Sequence, residues 1–468
     1  MISATIFREK RVAVIGLGGS GLAACCSLSA GGADVIAWDD NEKVRKYAAL
    51  NGFRIGDPKR LDFRKLDALV LSPGIPLTYP KPHWSVHLAR SANIEIIGDV
   101  EIFARQREFE STRSQLIYVT GTNGKSTTTA LIAHVLQMSG YNIQVGGNIG
   151  VPILNLEPPS SRCVYVIELS SFNINLMSTL NSSIGILLNI SPDHLDRHGS
   201  FKNYIDLKAL IPKNSDYAII GTDDIPTLEL YTAEKARRSA LSAISNGLVR
   251  QGVGVRNRAV TRCTHDKSSP GIVNFETIVD LTNSISLRGR HNAQNASAAT
   301  AACLHLGLTT NQIALGMKTF VGLPHRMEKV GQINRVIFIN DSKATNAVSA
   351  AHSLEAFHAN IYWIVGGQPK VDGIAPLAAY FSKISKAYLI GESVDMFRQT
   401  LIGQCAIACC YTLNIAVRQA AEDAQSVTDS EAVVLLSPAC ASFDQFRNFE
   451  VRGNMFRDIV KSLLEVDS

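Results

Sequence analysis

Short apolar runs rich in Val, Ile and Leu alternate with stretches of helical periodicity along most of the chain. This is the pattern of parallel βαβ units whose strands are covered on both faces. It predicts strands at Val12–Gly16, Val35–Trp38, Ala68–Leu71, Leu116–Thr120, Val164–Leu169, Ile184–Ile190, Tyr217–Ile220, Val336–Ile339, Ile361–Val365, Ala387–Ile390 and Val433–Leu436. Helices are expected over Gly98–Arg107 and Arg290–Leu308 and from Lys125 onward, and a few short antiparallel strands between Gly252 and Leu287. Many of the runs end in glycine or polar clusters, among them GLGGSG, SPG, GTNGKST, ELSS, SPDHLDRHG, NDSKATN and SPACAS. Ligands of open parallel sheets bind outside the carboxyl ends of the strands, so the chemistry should line those edges.

At 468 residues the chain exceeds a single core and divides into roughly three domains. Two breaks in composition bound them. One lies between the proline-rich stretch Ser72–Pro82 and the strand at Leu116, the other near Gly322-Leu323-Pro324. Domains are therefore expected over 1–98, 99–322 and 323–468. Hydrophobic residues at 46% and charged residues at 19% exclude a largely disordered chain. A net charge of +5 is too weak a bias for nucleic acid or membrane lipid as main partner. No targeting segment or membrane span is read from the sequence. The nine cysteines form no CxxC pair, which argues against zinc and for free thiols in a reducing cytoplasm.

Two glycine loops carry the first chemical signals. Gly16, Gly18, Ser20 and Gly21 follow a strand and open a helix, with Asp39 and Asp40 ending the next strand. Taken alone, that fingerprint would fit NAD or NADP in an oxidoreductase, or an unliganded tight turn. The loop Gly121, Thr122, Asn123, Gly124, Lys125, Ser126, Thr127 is more specific. Its amides would cradle phosphates, Lys125 would neutralise the β/γ-phosphates and Ser126 would reach Mg²⁺, with ATP as the expected occupant. The strict P-loop pattern would have glycine where this chain has Val119. Glu168 and His194, at the ends of two later strands, are candidate metal ligands. In the last third, polar loops around Arg326, Asp341, Thr345, Lys370 and Ser442 gather cations and hydroxyls where an anionic second substrate could dock.

In their order and wording these motifs resemble the Mur ligase family, ATP-dependent amide-forming enzymes of peptidoglycan assembly. GTNGKST belongs to the family at large, whereas SPGIP, DSKATN and LLSPACASFDQF resemble its D-glutamate-adding branch. The resemblance implies an α/β fold of three domains: Rossmann-like for the UDP end, a central P-loop ATPase with a mostly parallel sheet, and a Rossmann-like carboxyl-terminal domain for the amino acid. It moves the first glycine loop from NAD to the UDP-sugar, with Ser72, Pro73, Gly74 and Asn148 beside it. It implies that His291, Asn292 and Asn295 neighbour adenine, that Arg326 and Asp341 serve ATP, and that D-glutamate meets Thr345, Lys370, Ser442, Phe443 and Phe449. It also implies two Mg²⁺, with Lys208 carbamylated as a ligand beside Ser126, Glu168 and His194, and Asn173 standing where glutamine is usual. The implied activity, with Lys125, His194 and Lys208 as its catalytic residues, is ATP-driven joining of D-glutamate to UDP-N-acetylmuramoyl-L-alanine by a cytoplasmic monomer. An acyl phosphate and a tetrahedral intermediate lie on the path. Rivals are other Mur or folylpolyglutamate-type ligases, an NAD-dependent oxidoreductase and a non-catalytic nucleotide-binding module.

Overall fold

The computed structural model describes all residues except 111–113, 266–271, 283, 285, 371–372, 427–430 and 467–468. It contains three sheets. The first is fully parallel, with β1 (Arg11–Ile15), β2 (Asp34–Trp38), β3 (Ala68–Leu71) and β4 (Glu95–Ile97) in the order β2-β1-β3-β4. The second has nine strands: β5 (Gln115–Thr120), β6 (Asn142–Gly147), β7 (Cys163–Glu168), β8 (Ser182–Leu187), β9 (Ser215–Gly221), β10 (Leu241–Ile244), β11 (Gly252–Arg256), β12 (Ala259–His265) and β13 (Val273–Asp280). Their order is β13-β12-β11-β10-β9-β8-β5-β7-β6, antiparallel only where β11, β12 and β13 pair. The third holds β14 (Glu328–Ile333), β15 (Val336–Asn340), β16 (Ile361–Gly366), β17 (Ile384–Ile390), β18 (Ala406–Tyr411) and β19 (Ala432–Leu436), ordered β14-β15-β19-β16-β17-β18 with β14 antiparallel. This is the mostly parallel α/β class that the apolar runs predict.

The chain forms two compact units, Met1–Asp280 with Asn292–Lys318, and Leu281–His291 with Thr319–Ser468. The first unit contains two sheets on one apolar core. Ile2, Val14, Val70 and Phe103 belong to the same buried cluster as Tyr118, Tyr165 and Ile167. The helix Asp99–Phe109 joins the sheets physically. Its fully buried Glu101 accepts from the amides of Ser178 and Thr179 at 2.9 Å each and from Arg105 Nε at 2.7 Å. Ser178 Oγ and Thr179 Oγ1 donate to it as well, so an apolar replacement would leave five donors without this acceptor. The second unit packs its helices on both faces of the third sheet, around Trp363 and Phe397 on one side and Tyr388 and Phe456 on the other.

Helix starts follow local side-chain chemistry. Asn41, Asp224 and Asn346 each accept a backbone N–H of the first turn that would otherwise lack a partner. Among the described residues no helix is long and apolar enough to cross a membrane.

Candidate active site

The P-loop connects β5 to the helix Lys125–Met138. Gly121 and Gly124 take φ of +152° and +84°, a region that favours glycine, and a Cβ on Gly124 would collide with Asn295 Oδ1. The loop is held from outside. Thr122 N donates to Asn189 O and Asn123 N to Asn189 Oδ1, both at 2.8 Å. Lys125 Nζ lies over the loop, donating to Gly121 O at 3.0 Å and Thr122 O at 2.8 Å, so its charge sits where phosphate oxygens are expected. Ser126 is buried at the helix start, followed by Thr127. Asn295, also buried, accepts from Thr128 Oγ1 (3.2 Å) and donates to Asn292 Oδ1 (3.0 Å). Both asparagines thus stand beside the P-loop, while the side chain of His291 lies outside the described residues. A chain that the sequence reading missed runs from Asn189 to Gln294 (2.8 Å) and on to Asp223 (2.7 Å). Its only sequence signal is a polar residue just before the SPDHLD motif at the end of a strand.

Strand β7 lies next to β5, which brings Glu168 beside the P-loop edge. Glu168 is buried; its Oε1 accepts from Asn148 Nδ2 at 3.1 Å, and its Oε2 has no hydrogen-bond partner. A buried carboxylate oxygen left open in this way suits a hard cation. Among the described residues no three His, Cys, Asp or Glu side chains converge on one point. Lys208 is buried and points at the same loop, donating to Gly121 O at 2.8 Å and Thr120 Oγ1 at 3.2 Å. Burial, reinforced by the charge of Lys125, holds its amine well below the ordinary lysine range. His194 adopts φ +51° at the start of the short helix Leu195–His198; its ring is half exposed and lies 3.5 Å from Asp193 Oδ2. Asn173 completes a capping box with Ser170, accepting from Ser170 N at 3.1 Å. Asn173 therefore has a structural task as the third residue of the helix Ser171–Ile174.

In the first sheet, Gly16 takes φ +89°, and a Cβ on Gly21 would collide with the Gly16 carbonyl oxygen. Asp39 braces this turn, accepting from Leu17 N (2.8 Å) and Asn41 N (2.9 Å), while Ser72 Oγ donates to Gly16 O (2.7 Å). Gly18 and Ser20 stand at the helix start, and Ser20 hydrogen-bonds the buried Asp99, whose carboxyl burial pushes up. Asp40 is ringed by three donors, Trp38 Nε1 at 3.0 Å, His83 Nε2 at 2.9 Å and Trp84 Nε1 at 3.4 Å. Pro73 and Gly74 follow Ser72 at the end of β3.

The second unit has its own cluster at the carboxyl ends of β15, β16 and β19. Asp341 accepts from Met327 N (3.2 Å), Ser437 Oγ (3.2 Å) and Ser353 Oγ. Burial raises its carboxyl to about 6, opposed by these donors and by the charge of Arg326. Phe449 opens the last helix, with Lys343 Nζ 5.0 Å over its ring and His325 against its edge. Ser442 is buried, whereas Phe443 and Lys370 are exposed and Thr345 lies between. Arg452, buried and unanticipated, donates to Ser342 O at 2.8 Å and Cys440 O at 3.2 Å and so ties the DSKATN loop to the SPACAS loop.

Two family models match, the Mur ligase middle domain over residues 119–303 and the Mur ligase glutamate ligase domain over 325–440. The chain is 49% identical to a UDP-N-acetylmuramoylalanine–D-glutamate ligase of Chelativorans sp. (strain BNC1), covering 99% of this chain and 98% of the relative. It is likewise 49% identical to the enzyme of that name from Brucella abortus (strain 2308), with the same coverage of both. Among solved structures, UDP-N-acetylmuramate–alanine ligase of Thermotoga maritima superposes with a TM-score of 0.58 at 18% identity, covering 97% of this chain and 99% of that one.

Proposed function

The chain belongs to the Mur ligase family, and from that premise we propose that it joins D-glutamate to the L-alanyl carboxylate of UDP-N-acetylmuramoyl-L-alanine at the expense of ATP. The observation that carries this reading is the identity of nearly half over almost the full length. Residues 1–98 are assigned to the UDP-sugar, 99–322 to ATP and 323–468 to the amino acid. The working form is a cytoplasmic monomer, and the nine free thiols support a reducing compartment.

A free carboxylate is a poor electrophile because its leaving group would be oxide. Transfer of the γ-phosphoryl group from ATP to the carboxylate oxygen gives an acyl phosphate and releases ADP, the neutral amine of D-glutamate attacks it, and the tetrahedral intermediate loses the amine proton and expels phosphate. Both steps collect negative charge, so fixed cations and amides do most of the work. Lys125 and the amides of Gly121–Thr127 hold the β- and γ-phosphates, while Asn292 and Asn295 border the base together with His291. Glu168, Ser126 and His194 would hold Mg²⁺, which when bound supplies charge neutralisation at the transferred phosphoryl group. The lowered basicity of Lys208, caused by burial and the charge of Lys125, favours the neutral amine, the form that condenses with CO₂ to a carbamate, the state in which it would serve as an oxygen ligand. Gly16, Gly18, Ser20, Gly21, Asp39, Asp40, Ser72–Gly74 and Asn148 are assigned to the UDP-sugar. Thr345, Lys370, Ser442, Phe443 and Phe449 are assigned to D-glutamate, and Arg326 and Asp341 to ATP.

Phosphate release with ATP, UDP-N-acetylmuramoyl-L-alanine and each candidate amino acid tests the reading, with mass spectrometry of the product. D-Glutamate alone should support turnover, and the product mass should equal donor plus glutamate less water. Equal turnover with L-glutamate or a diamino acid defeats it. Lys125→Ala should lower kcat by at least about 100-fold, as loss of a charged transition-state contact does, while binding of the UDP-sugar persists.

A further inference from the structure

The loop that carries His194 is bolted to the loop that carries Ser72–Gly74. Arg197 Nη1 donates to Gly74 O at 3.1 Å, and its guanidinium carbon lies 4.6 Å from the centre of the Phe172 ring. That ring touches His194, with centroids 5.0 Å apart, and stacks on His198 at 5.5 Å and 12°. His198 is itself buried and fixed by Ser171 Oγ, 2.9 Å from its Nε2. Two residues past Arg197, Gly199 at φ +76° sits so close to Tyr79 that a Cβ there would collide with the ring. The gap left between the loops, bordered by Pro73, Leu77, Phe172 and Arg197, is a cavity of about 10 Å³, no larger than a single water.

We propose that Arg197 is a positioning residue that makes binding of the UDP-sugar and of the magnesium nucleotide cooperative. It rests on the assignment above of Ser72–Gly74 to the sugar nucleotide and of His194 to the metal-bound phosphate. A ligand against Ser72–Gly74 fixes the Gly74 carbonyl, the carbonyl fixes Arg197, and Arg197 with His198 fixes Phe172, against which His194 leans. Ordering this stack for one ligand lowers the ordering cost for the other, and the coupling is reciprocal. Arginine is the side chain for the task because its planar guanidinium stacks on a ring while donating in its own plane. Lysine would keep a donor without the flat contact.

Calorimetric titration of a non-hydrolysable ATP analogue with Mg²⁺, with and without saturating UDP-N-acetylmuramoyl-L-alanine, reads the coupling directly. In the wild type the UDP-sugar should tighten the analogue at least about fivefold, with the same factor in the reverse titration. In Arg197→Ala the factor should fall below about twofold while each ligand alone keeps its affinity within about threefold; Arg197→Lys should lie between. Phe172→Leu, which keeps an apolar side chain but removes the ring, should also uncouple the ligands. Coupling undiminished in Arg197→Ala and Phe172→Leu overturns the proposal, as does a wild type that binds both ligands independently. A wild type that binds neither ligand instead removes the proposed function, and this inference with it.

Discussion

Asp341 shows how burial turns a carboxylate into a pH-sensitive structural group. Its side chain is enclosed, and the donors from Ser353, Ser437 and Met327 only partly offset the loss of water. With the folded-state value raised from 3.8 to about 6, the native protein retains a proton that the unfolded chain releases. Its contribution to stability is therefore full below about pH 4, declines through the interval, and is lost above about pH 6. Asp341→Asn cannot ionise and should escape that decline. Urea unfolding at pH 4 and pH 7.5 should show the wild type losing about 2 kcal/mol relative to the variant between the two conditions, somewhat less than the full shift because the unfolded carboxyl is already partly ionised at pH 4. A pH-independent difference between the proteins would mean that the carboxyl titrates normally.

At the scale of elements, each glycine loop is a strand end braced by a neighbour, and its tolerance to substitution differs from residue to residue. Gly18 has φ −69° and open space around its missing side chain, whereas a Cβ on Gly21 meets the Gly16 carbonyl. Gly18→Ala should cost less than about 1 kcal/mol, the loss of a mildly favourable cap. Gly21→Ala must push the helix Gly19–Ala30 off the turn, and about 1–3 kcal/mol of stability should go with it. Thermal unfolding with a parallel UDP titration checks both, and UDP affinity should fall at least tenfold only for Gly21→Ala. Such loops were legible in the sequence because special backbone geometry demands special residues, and strong apolar runs placed β1, β3, β5, β7 and β16 in the same way. β4 was not legible with three residues, nor was β6, whose sequence NIQVGG holds only two apolar side chains, Ile143 and Val145. β14 (EKVGQI) is interrupted by a bulge between Lys329 and Gly331, and β18 (AIACCY) is mostly Ala and Cys, so neither carries a sustained β-branched run. Motif residues such as Lys125 and Glu168 announce themselves by type and placement. Arg197 and Arg452 act through backbone carbonyls distant in sequence, so even Arg197, inside the SPDHLDRHG cluster, gives no local sign of its partner.

For the whole molecule, three sheets do not make three independent bodies. Phe103 on the helix Asp99–Phe109 is fully buried, 5.2 Å from the Tyr165 ring of the second sheet, in the cluster that also includes Val14 and Val70 of the first. The first and second sheets thus share one core, while the third sheet has apolar clusters of its own. Phe103→Ala should cost about 3–5 kcal/mol, the usual price of an aromatic truncated inside a packed core. The loss should be felt on both sides of the helix. Native-state hydrogen exchange should accelerate together in β1 and β3 and in β5 and β7, with β15, β16 and β19 unchanged, because openings of a cooperative unit expose all its strands at once. Acceleration confined to the first sheet would show that Met1–Gly98 opens by itself. A shared opening would mean that the loops after the strands of the first and second sheets are kept in register by one hydrophobic interior, which is the rigid frame a relay through Arg197 requires.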